Sequence, residues 1–349
     1  MFNSTSMAPS QEQFAVAIPV DDPDDPNYIA NLGQGYDGVV LIKLSDGCSC
    51  TGTLLTTGRH ILTAAHCFET QEEDGKPTLY PQAEGVKVIF DLSEDTLSVD
   101  AKTISVHPEW SDTYAALNDI AILELAEPAP AIADRYEIYR KTDEVGQVFV
   151  RVGFGNKGTG WLGEVADKTS VKRMGSNRYD APGEALNPIL PAIAQREQGD
   201  PANYIISPGT QLASDFDNGQ EEHDAFGIEF GIRDLGLGDQ EVGSSTGDSG
   251  GPTFIDGKIA GITSYGFSPL NAEIDVNHEV GDASFGEYAV DTRVSAYAEY
   301  IDQVLAGNSA HNVHEMGSVV LLETSWLMLL GNFVIGACAL SLGAKLLKF

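Results

Sequence analysis

Along this 349-residue chain, apolar residues gather from Gly38 onward in short runs, each bounded by Gly, Asp or Thr. Val39-Val40-Leu41-Ile42-Lys43-Leu44, Gly52-Thr53-Leu54-Leu55 and His60-Ile61-Leu62-Thr63 come first. Val86-Lys87-Val88-Ile89-Phe90, Lys102-Thr103-Ile104-Ser105-Val106 and Ile120-Ala121-Ile122-Leu123-Glu124-Leu125 continue the series. Many short β-rich runs with turn formers between them predict an all-β barrel or sandwich, and no repeat at a fixed period accompanies them. The pattern lapses between Gly155 and Gly247, where Asn, Asp, Gly and Pro recur and apolar runs are brief. Such a stretch predicts long loops of the functional or mobile kind. Strand texture returns at Lys258-Ile259-Ala260-Gly261-Ile262-Thr263-Ser264-Tyr265. Val294, Tyr297, Ile301, Val304 and Leu305 then fall at helical intervals, and Gly307 closes a short amphipathic helix.

The two ends differ from this body. Met1 to Val20 holds one acidic residue, no Lys or Arg and no apolar core of the usual length, so no export signal is visible there. Asp21-Asp22-Pro23-Asp24-Asp25-Pro26 reads as an extended, solvated linker rather than an ion site. At the other end, 21 uncharged and mostly apolar residues separate Glu323 from Lys345, and Lys348 follows. That length spans a bilayer as a helix, with the lysines at a cytoplasmic end. A buried core helix is the alternative.

Charge narrows the partners. Twenty Lys and Arg against 52 Asp and Glu give a formal net charge of −32, which argues against nucleic-acid binding because phosphate contacts need a basic face. Of the four cysteines, Cys48, Cys50 and Cys67 lie close together and Cys338 stands apart, which allows one local bridge and leaves a thiol over. Their spacing suits neither zinc nor a redox pair, so a structural disulfide in an oxidising compartment is expected.

The chemistry centres on Thr246-Gly247-Asp248-Ser249-Gly250-Gly251-Pro252. A serine hydroxyl needs a base and oxyanion donors to attack a carbonyl, and the flanking glycines free the backbone for close approach of that carbonyl. A Gly-rich turn is the bland alternative. Thr63-Ala64-Ala65-His66-Cys67 supplies a base, and Asn118-Asp119-Ile120-Ala121 a carboxylate entering an apolar strand. Singly, each reads as a packed histidine or a turn residue. Together, in the order His, Asp, Ser, they match one of the convergent catalytic triads.

These residues resemble the trypsin/chymotrypsin-like serine endopeptidases. The resemblance runs through Cys50-Thr51-Gly52-Thr53-Leu54-Leu55, Leu62-Thr63-Ala64-Ala65-His66-Cys67, His107-Pro108, Asn118-Asp119-Ile120-Ala121-Ile122-Leu123, Gly247-Asp248-Ser249-Gly250-Gly251-Pro252 and Ser264-Tyr265-Gly266. It implies two packed antiparallel six-stranded β-barrels with a short C-terminal helix and a site in the cleft between them. It also implies Ser249 as nucleophile, His66 as general base and acid, and Asp119 as its orienting carboxylate. The N–H groups of Gly247 and Ser249 would form the oxyanion hole, Cys50 and Cys67 a disulfide, and Gly243, Ser264, Tyr265 and Gly266 the substrate pocket. A protein or peptide substrate and a monomer follow, with no metal in the mechanism. The implied organisation is an acidic flexible extension over 1–34, a protease domain over 35–306, a linker over 307–323 and an anchor or sorting segment over 324–349.

Some features depart from that family. Its members activate by pairing a new N-terminal amine with the aspartate before the serine, here Asp248, yet the first basic residue is Lys43, already inside the barrel. Ile29 is one candidate new terminus, though Ala30-Asn31-Leu32 is a poor likeness. Gly243 at the pocket floor disfavours Arg or Lys as the recognised side chain unless Glu241 or Asp239 reaches in. Asp215-Phe216-Asp217-Asn218-Gly219 has a faint EF-hand-like spacing without the terminal glutamate, so an acidic turn and a calcium site both stay open. Val313-His314-Glu315-Met316-Gly317-Ser318 and the tail resemble a degenerate bacterial PEP-CTERM sorting signal, which implies a bacterial-type protease, processed or anchored after export and acting outside the cytoplasm. A catalytically silent binding module at the cell surface is the rival reading.

Overall fold

Six strands in the first half close on themselves and bury their apolar runs in one core. They are β1 (Val39–Lys43), β2 (Ser49–Leu54), β3 (His60–Thr63), β4 (Lys87–Asp91), β5 (Thr96–Val106) and β6 (Ala121–Leu125). Hydrogen bonding runs β1-β2-β3-β6-β5-β4 and back to β1, a closed antiparallel barrel with no free edge. The computed structural model describes residues 17–71, 77–79, 83–111, 115–165, 171–196 and 200–307. Val39, Val40, Ile42, Leu54, Ile61, Val88, Phe90 and Leu123 fill the barrel with no accessible surface.

The second half forms a seven-stranded barrel-like sheet, one strand more than the expected six. Its strands are β7 (Val148–Gly153), β8 (Arg173–Arg178), β9 (Ala181–Pro182), β10 (Gln211–Asp215), β11 (Pro252–Ile255), β12 (Lys258–Phe267) and β13 (Tyr288–Arg293), in the order β8-β7-β11-β12-β13-β10-β9. The extra strand is the two-residue β9, which ends on Pro182, a residue with no N–H to extend a ladder.

Three of these strands lie inside the stretch expected to be irregular. Their buried positions mix polar residues with few apolar ones, which hid them from a hydrophobic pattern. Arg173 and Asn177 of β8 are buried, as are Gln211, Ser214 and Asp215 of β10. Each pays its desolvation through hydrogen bonds, such as Asn177 Nδ2 to the Asp215 and Val242 carbonyls at 2.8 and 3.2 Å. Helices α1 (Leu190–Arg196) and α2 (Ala225–Phe230) interrupt the same stretch, and α2 stops at Gly231 with φ +72°. The closing helix begins as a 3-10 turn over Val294–Tyr297 and continues as α3 (Ala298–Leu305).

The extension was expected to be flexible over 1–34, yet within it residues 17–30 are held to the second half, where Ile29 bridges Arg173 and the Ala30 N–H donates to the Lys172 carbonyl at 2.9 Å. Ala17 and Ile18 are fully buried and pair in parallel with Gly158 and Thr159. The buried Arg173 guanidinium supplies a reason, since it takes Asp24 as counter-ion at 2.6 Å. Among the described residues no helix is long and apolar enough to cross a membrane; the apolar segment over 324–349 lies outside them.

Cys50 in β2 bonds Cys67 across 17 residues of chain. Cys48 is disulfide-bonded as well, so the expectation of a left-over thiol gives way, and no described cysteine is free. Closing a loop of this length restricts the unfolded chain, and replacing both Cys50 and Cys67 with alanine is expected to lower the unfolding free energy by about 3 kcal/mol. Urea denaturation of the double variant beside the parent measures it; equal midpoints would refute the expectation.

Candidate active site

Strand β3 delivers the histidine. Ala64 and Ala65, both fully buried, let the chain turn tightly into a one-turn 3-10 helix over His66–Phe68. The Cys50–Cys67 bond pins that turn to β2. Asp119 arrives from the start of β6, after Asn118 takes a left-handed φ of +58° that Asn tolerates better than most residues. Asn118 is held there by its own side chain, which donates to the Glu109 carbonyl at 2.7 Å.

The two meet in a two-point contact. His66 Nδ1 lies 2.7 Å from Asp119 Oδ2, and the His66 backbone N–H donates to Asp119 Oδ1 at 2.9 Å. Ser264 Oγ donates to the same Oδ2 at 2.5 Å, and Thr292 Oγ1 donates to the Asp119 carbonyl at 2.9 Å. Asp119 has no accessible surface. Burial pushes its carboxyl up, but the His66 charge and the hydrogen bonds from His66 and Ser264 outweigh this and hold it below the ordinary carboxylate range. The carboxylate is therefore ionised and aimed at the imidazole.

Ser249 sits half-exposed on a turn pressed against the first barrel. Its carbonyl accepts the Thr51 N–H at 2.9 Å, and Thr51 Oγ1 donates to the Gly247 carbonyl at 3.0 Å. The Gly250 N–H donates to the Thr263 carbonyl at 2.8 Å. Gly247 and Gly250 take φ of +99° and +80°. At Gly250 the need for glycine is twofold, since a Cβ would lie 2.0 Å from Thr63 Oγ1 and 2.4 Å from the Thr51 carbonyl. The serine turn thus rests on Thr51 and Thr63, in the strands that flank the disulfide and the histidine.

Comparison with known proteins agrees with this geometry. The family profile described as Trypsin matches residues 33–185, which include His66 and Asp119. Cationic trypsin-3 of Rattus norvegicus is 25% identical over 297 residues, covering 84% of this chain and 95% of that protein. The chain resembles the trypsin-like serine proteases, over residues 33–185 by the family profile and over most of its length by the rat trypsin. Shorter likenesses accompany it: alpha-fibrinogenase of Macrovipera lebetinus is 39% identical over 75 residues, 22% of this chain and 24% of that protein. Chymotrypsin-C of Rattus norvegicus is 38% identical over 81 residues, 23% of this chain and 27% of that protein. The structure of neuropsin, a serine protease expressed in the limbic system of mouse brain, superposes with a TM-score of 0.53 at 16% identity. It covers 80% of this chain and 98% of its own, a likeness of fold.

The remaining candidate site residues are distributed unequally. Ser264, expected in the pocket, donates its hydroxyl to Asp119. Tyr265 is half-buried with its hydroxyl on Gln211 Oε1 at 3.0 Å, and Gly266 is exposed beside it. Gly243 is buried, and a Cβ there would meet the Phe216 ring at 2.7 Å. Phe216 packs on Phe285 with ring centroids 4.5 Å apart, so the floor position is backed by aromatic carbon. Glu241 does not turn to that floor; its carboxylate accepts the Leu237 N–H at 2.8 Å and the Asp217 N–H at 3.2 Å. Asp239 is exposed. Thr51, Thr63 and Thr292 escaped sequence reasoning, because a buried threonine in a strand carries no local mark of the loop it supports.

Asp248 finds backbone rather than a cation. It accepts the Gly155 and Ser245 N–H groups, both at 2.9 Å, and the Ser245 hydroxyl at 3.2 Å. Ile29, the candidate terminus, pairs with Arg173, while Ala17 is the residue whose carbonyl takes the Gly243 N–H, at 3.1 Å. Burial pushes the Asp248 carboxyl up to about 6, against the pull of its hydrogen bonds and of Arg151. An acid whose folded pKa exceeds its unfolded value binds its proton more tightly when folded. Its contribution therefore favours the fold at low pH and is lost as pH rises from about 4 to about 6, a change of about 3 kcal/mol. The melting temperature of Asp248→Asn, compared with the parent across this window, is expected to gain on the parent as pH rises; a constant difference would refute the shift.

Proposed function

We propose that this chain is a serine endopeptidase that works through an acyl-enzyme on Ser249. Ser249 Oγ attacks the peptide carbonyl carbon as its proton passes to His66 Nε2. The C–N bond then breaks as His66 returns that proton to the leaving amine, and water, activated by the same imidazole, hydrolyses the ester. Asp119 fixes the imidazole tautomer and stabilises the imidazolium. The oxyanion receives the Gly247 and Ser249 N–H groups, each such donor lowering the barrier by about 3 kcal/mol. The observation that carries this reading is the buried, ionised Asp119 accepting both His66 N–H groups, with the Ser249 turn seated on the neighbouring Thr51.

The substrate class follows from the pocket. Gly243 backed by Phe216, with Glu241 engaged elsewhere, favours an apolar side chain before the scissile bond over Arg or Lys. The disulfide supports an oxidising, extracellular setting. Membrane tethering rests on the sequence of the tail alone.

A fluorophosphonate probe and a peptide library test both parts. The parent is expected to be labelled and Ser249→Ala not, and cleavage is expected after aromatic or aliphatic residues. Absence of labelling would sink the enzyme reading, and cleavage confined to Arg or Lys would sink the pocket reading alone.

A further inference from the structure

Behind the pocket, three carboxylates converge with no cation among them. Asp215 ends β10, Asp217 follows two residues later, and Glu241 lies on the segment that bridges to Ser176 of β8. One oxygen from each side chain lies within 4.8 Å of the other two. Oxygens sharing a calcium ion at 2.3–2.6 Å can be separated by at most roughly twice that distance, so this spacing is what a common ion requires. The three side chains are at most 1% exposed. Arg178, the nearby cation, is committed to Asp234 and to the Gly236 carbonyl.

A second observation singles the place out. Asp217 Oδ1 accepts the Gly219 N–H at 2.7 Å, but Asp217 Oδ2 has no hydrogen-bond partner, although the residue has no accessible surface. An unmatched buried carboxylate oxygen is costly, and structures retain one where something outside the chain completes it. The other oxygens of the group are only partly satisfied: Asp215 Oδ2 takes the Phe226 N–H at 2.9 Å, and Glu241 takes the Leu237 and Asp217 N–H groups. Each retains acceptor capacity.

We propose that Asp215, Asp217 and Glu241 form a calcium site. An all-oxygen, multiply anionic donor set selects hard cations over zinc or copper. Calcium suits it better than magnesium, which holds its waters and demands a strict octahedron that three buried carboxylates leave little room for. The site also meets the pocket. Phe216, whose ring backs Gly243, stands between Asp215 and Asp217, and Glu241 is two residues before Gly243. A bound ion joins the two segments that carry the floor, and so lowers KM. This last consequence rests on the pocket reading above, whereas the binding itself does not.

The test uses the full chain, stripped with EGTA and titrated with calcium or magnesium chloride. Calorimetry is expected to show one calcium per chain abolished by Asp217→Asn. At a hundredfold excess over Kd, the melting temperature is expected to rise by roughly 5 °C with calcium and less with magnesium. Asp217→Asn keeps shape and removes a buried charge, so its stripped form is expected to fold, and Glu241→Gln serves as the second variant. No saturable calcium binding, or binding undiminished in both variants, overturns the proposal. Fluorophosphonate labelling of Ser249 is scored in parallel, so failure of the cation site and failure of the catalytic reading are told apart.

Discussion

Replacing Ser249 with alanine is expected to cut kcat for peptide hydrolysis by roughly four to six orders of magnitude while leaving the unfolding transition in place. The size follows from what is lost: without Oγ no acyl-enzyme forms, and only orientation and oxyanion donors remain to assist attack by water. The fold is spared because the serine is half-exposed and its turn is held by backbone bonds, from Thr51 N–H to the Ser249 carbonyl and from Gly250 N–H to the Thr263 carbonyl, both independent of the hydroxyl. Turnover of a chromogenic peptide and urea melts of the two proteins check both halves. Residual activity near the parent's would remove Ser249 from the reaction.

Asp119→Asn is expected to lower kcat by about 10⁴-fold at neutral pH. Its carboxylate accepts from three donors, the His66 backbone N–H, the His66 ring and Ser264 Oγ. An amide offers one oxygen and turns an NH2 group toward a former donor. If that NH2 faces the ring, Nδ1 must become the acceptor and Nε2 carries the proton, which is the tautomer that cannot take one from serine. Ser264→Ala removes one donor and keeps the carboxylate, so its effect is expected to be smaller. Rates of fluorophosphonate labelling falling in step with kcat would place both effects on the activation of Ser249; labelling at the parent's rate in Asp119→Asn would remove Asp119 from that role.

The first barrel was legible because its clearest strands obey a simple rule, short apolar runs buried on both faces. Val39-Val40-Leu41-Ile42 and Ile120-Ala121-Ile122-Leu123 announce themselves on that rule, and β1 and β6 lie where those runs are. The second sheet was half-legible. β8 reads Arg-Met-Gly-Ser-Asn-Arg and β10 reads Gln-Leu-Ala-Ser-Asp; no hydrophobic count finds strands in which buried polar residues, matched by partners tens of residues away, outnumber the apolar ones. The same cause hid Arg151, a buried arginine in β7 that binds Asp291 of β13 at 3.1 Å. Residues 21–26 read as a solvated linker because Asp24 looks like one more acidic residue until Arg173 is brought to it.

By itself, the sequence determined which groups are candidates for the chemistry. A serine between backbone-freeing glycines, a histidine after two alanines and an aspartate entering a strand are local arrangements, and local arrangements are written in neighbouring residues. Tertiary structure alone decided what those groups face. It brought Ser264 to the Asp119 carboxylate across 145 positions and gave Asp248 the Gly155 N–H across 93. It also set Phe216 against Gly243 and gathered Asp215, Asp217 and Glu241 around one point. The reason is physical: hydrogen bonds and carboxylate repulsion act over a few ångströms of space, and separation along the chain does not reveal which distant residues folding will bring within that range.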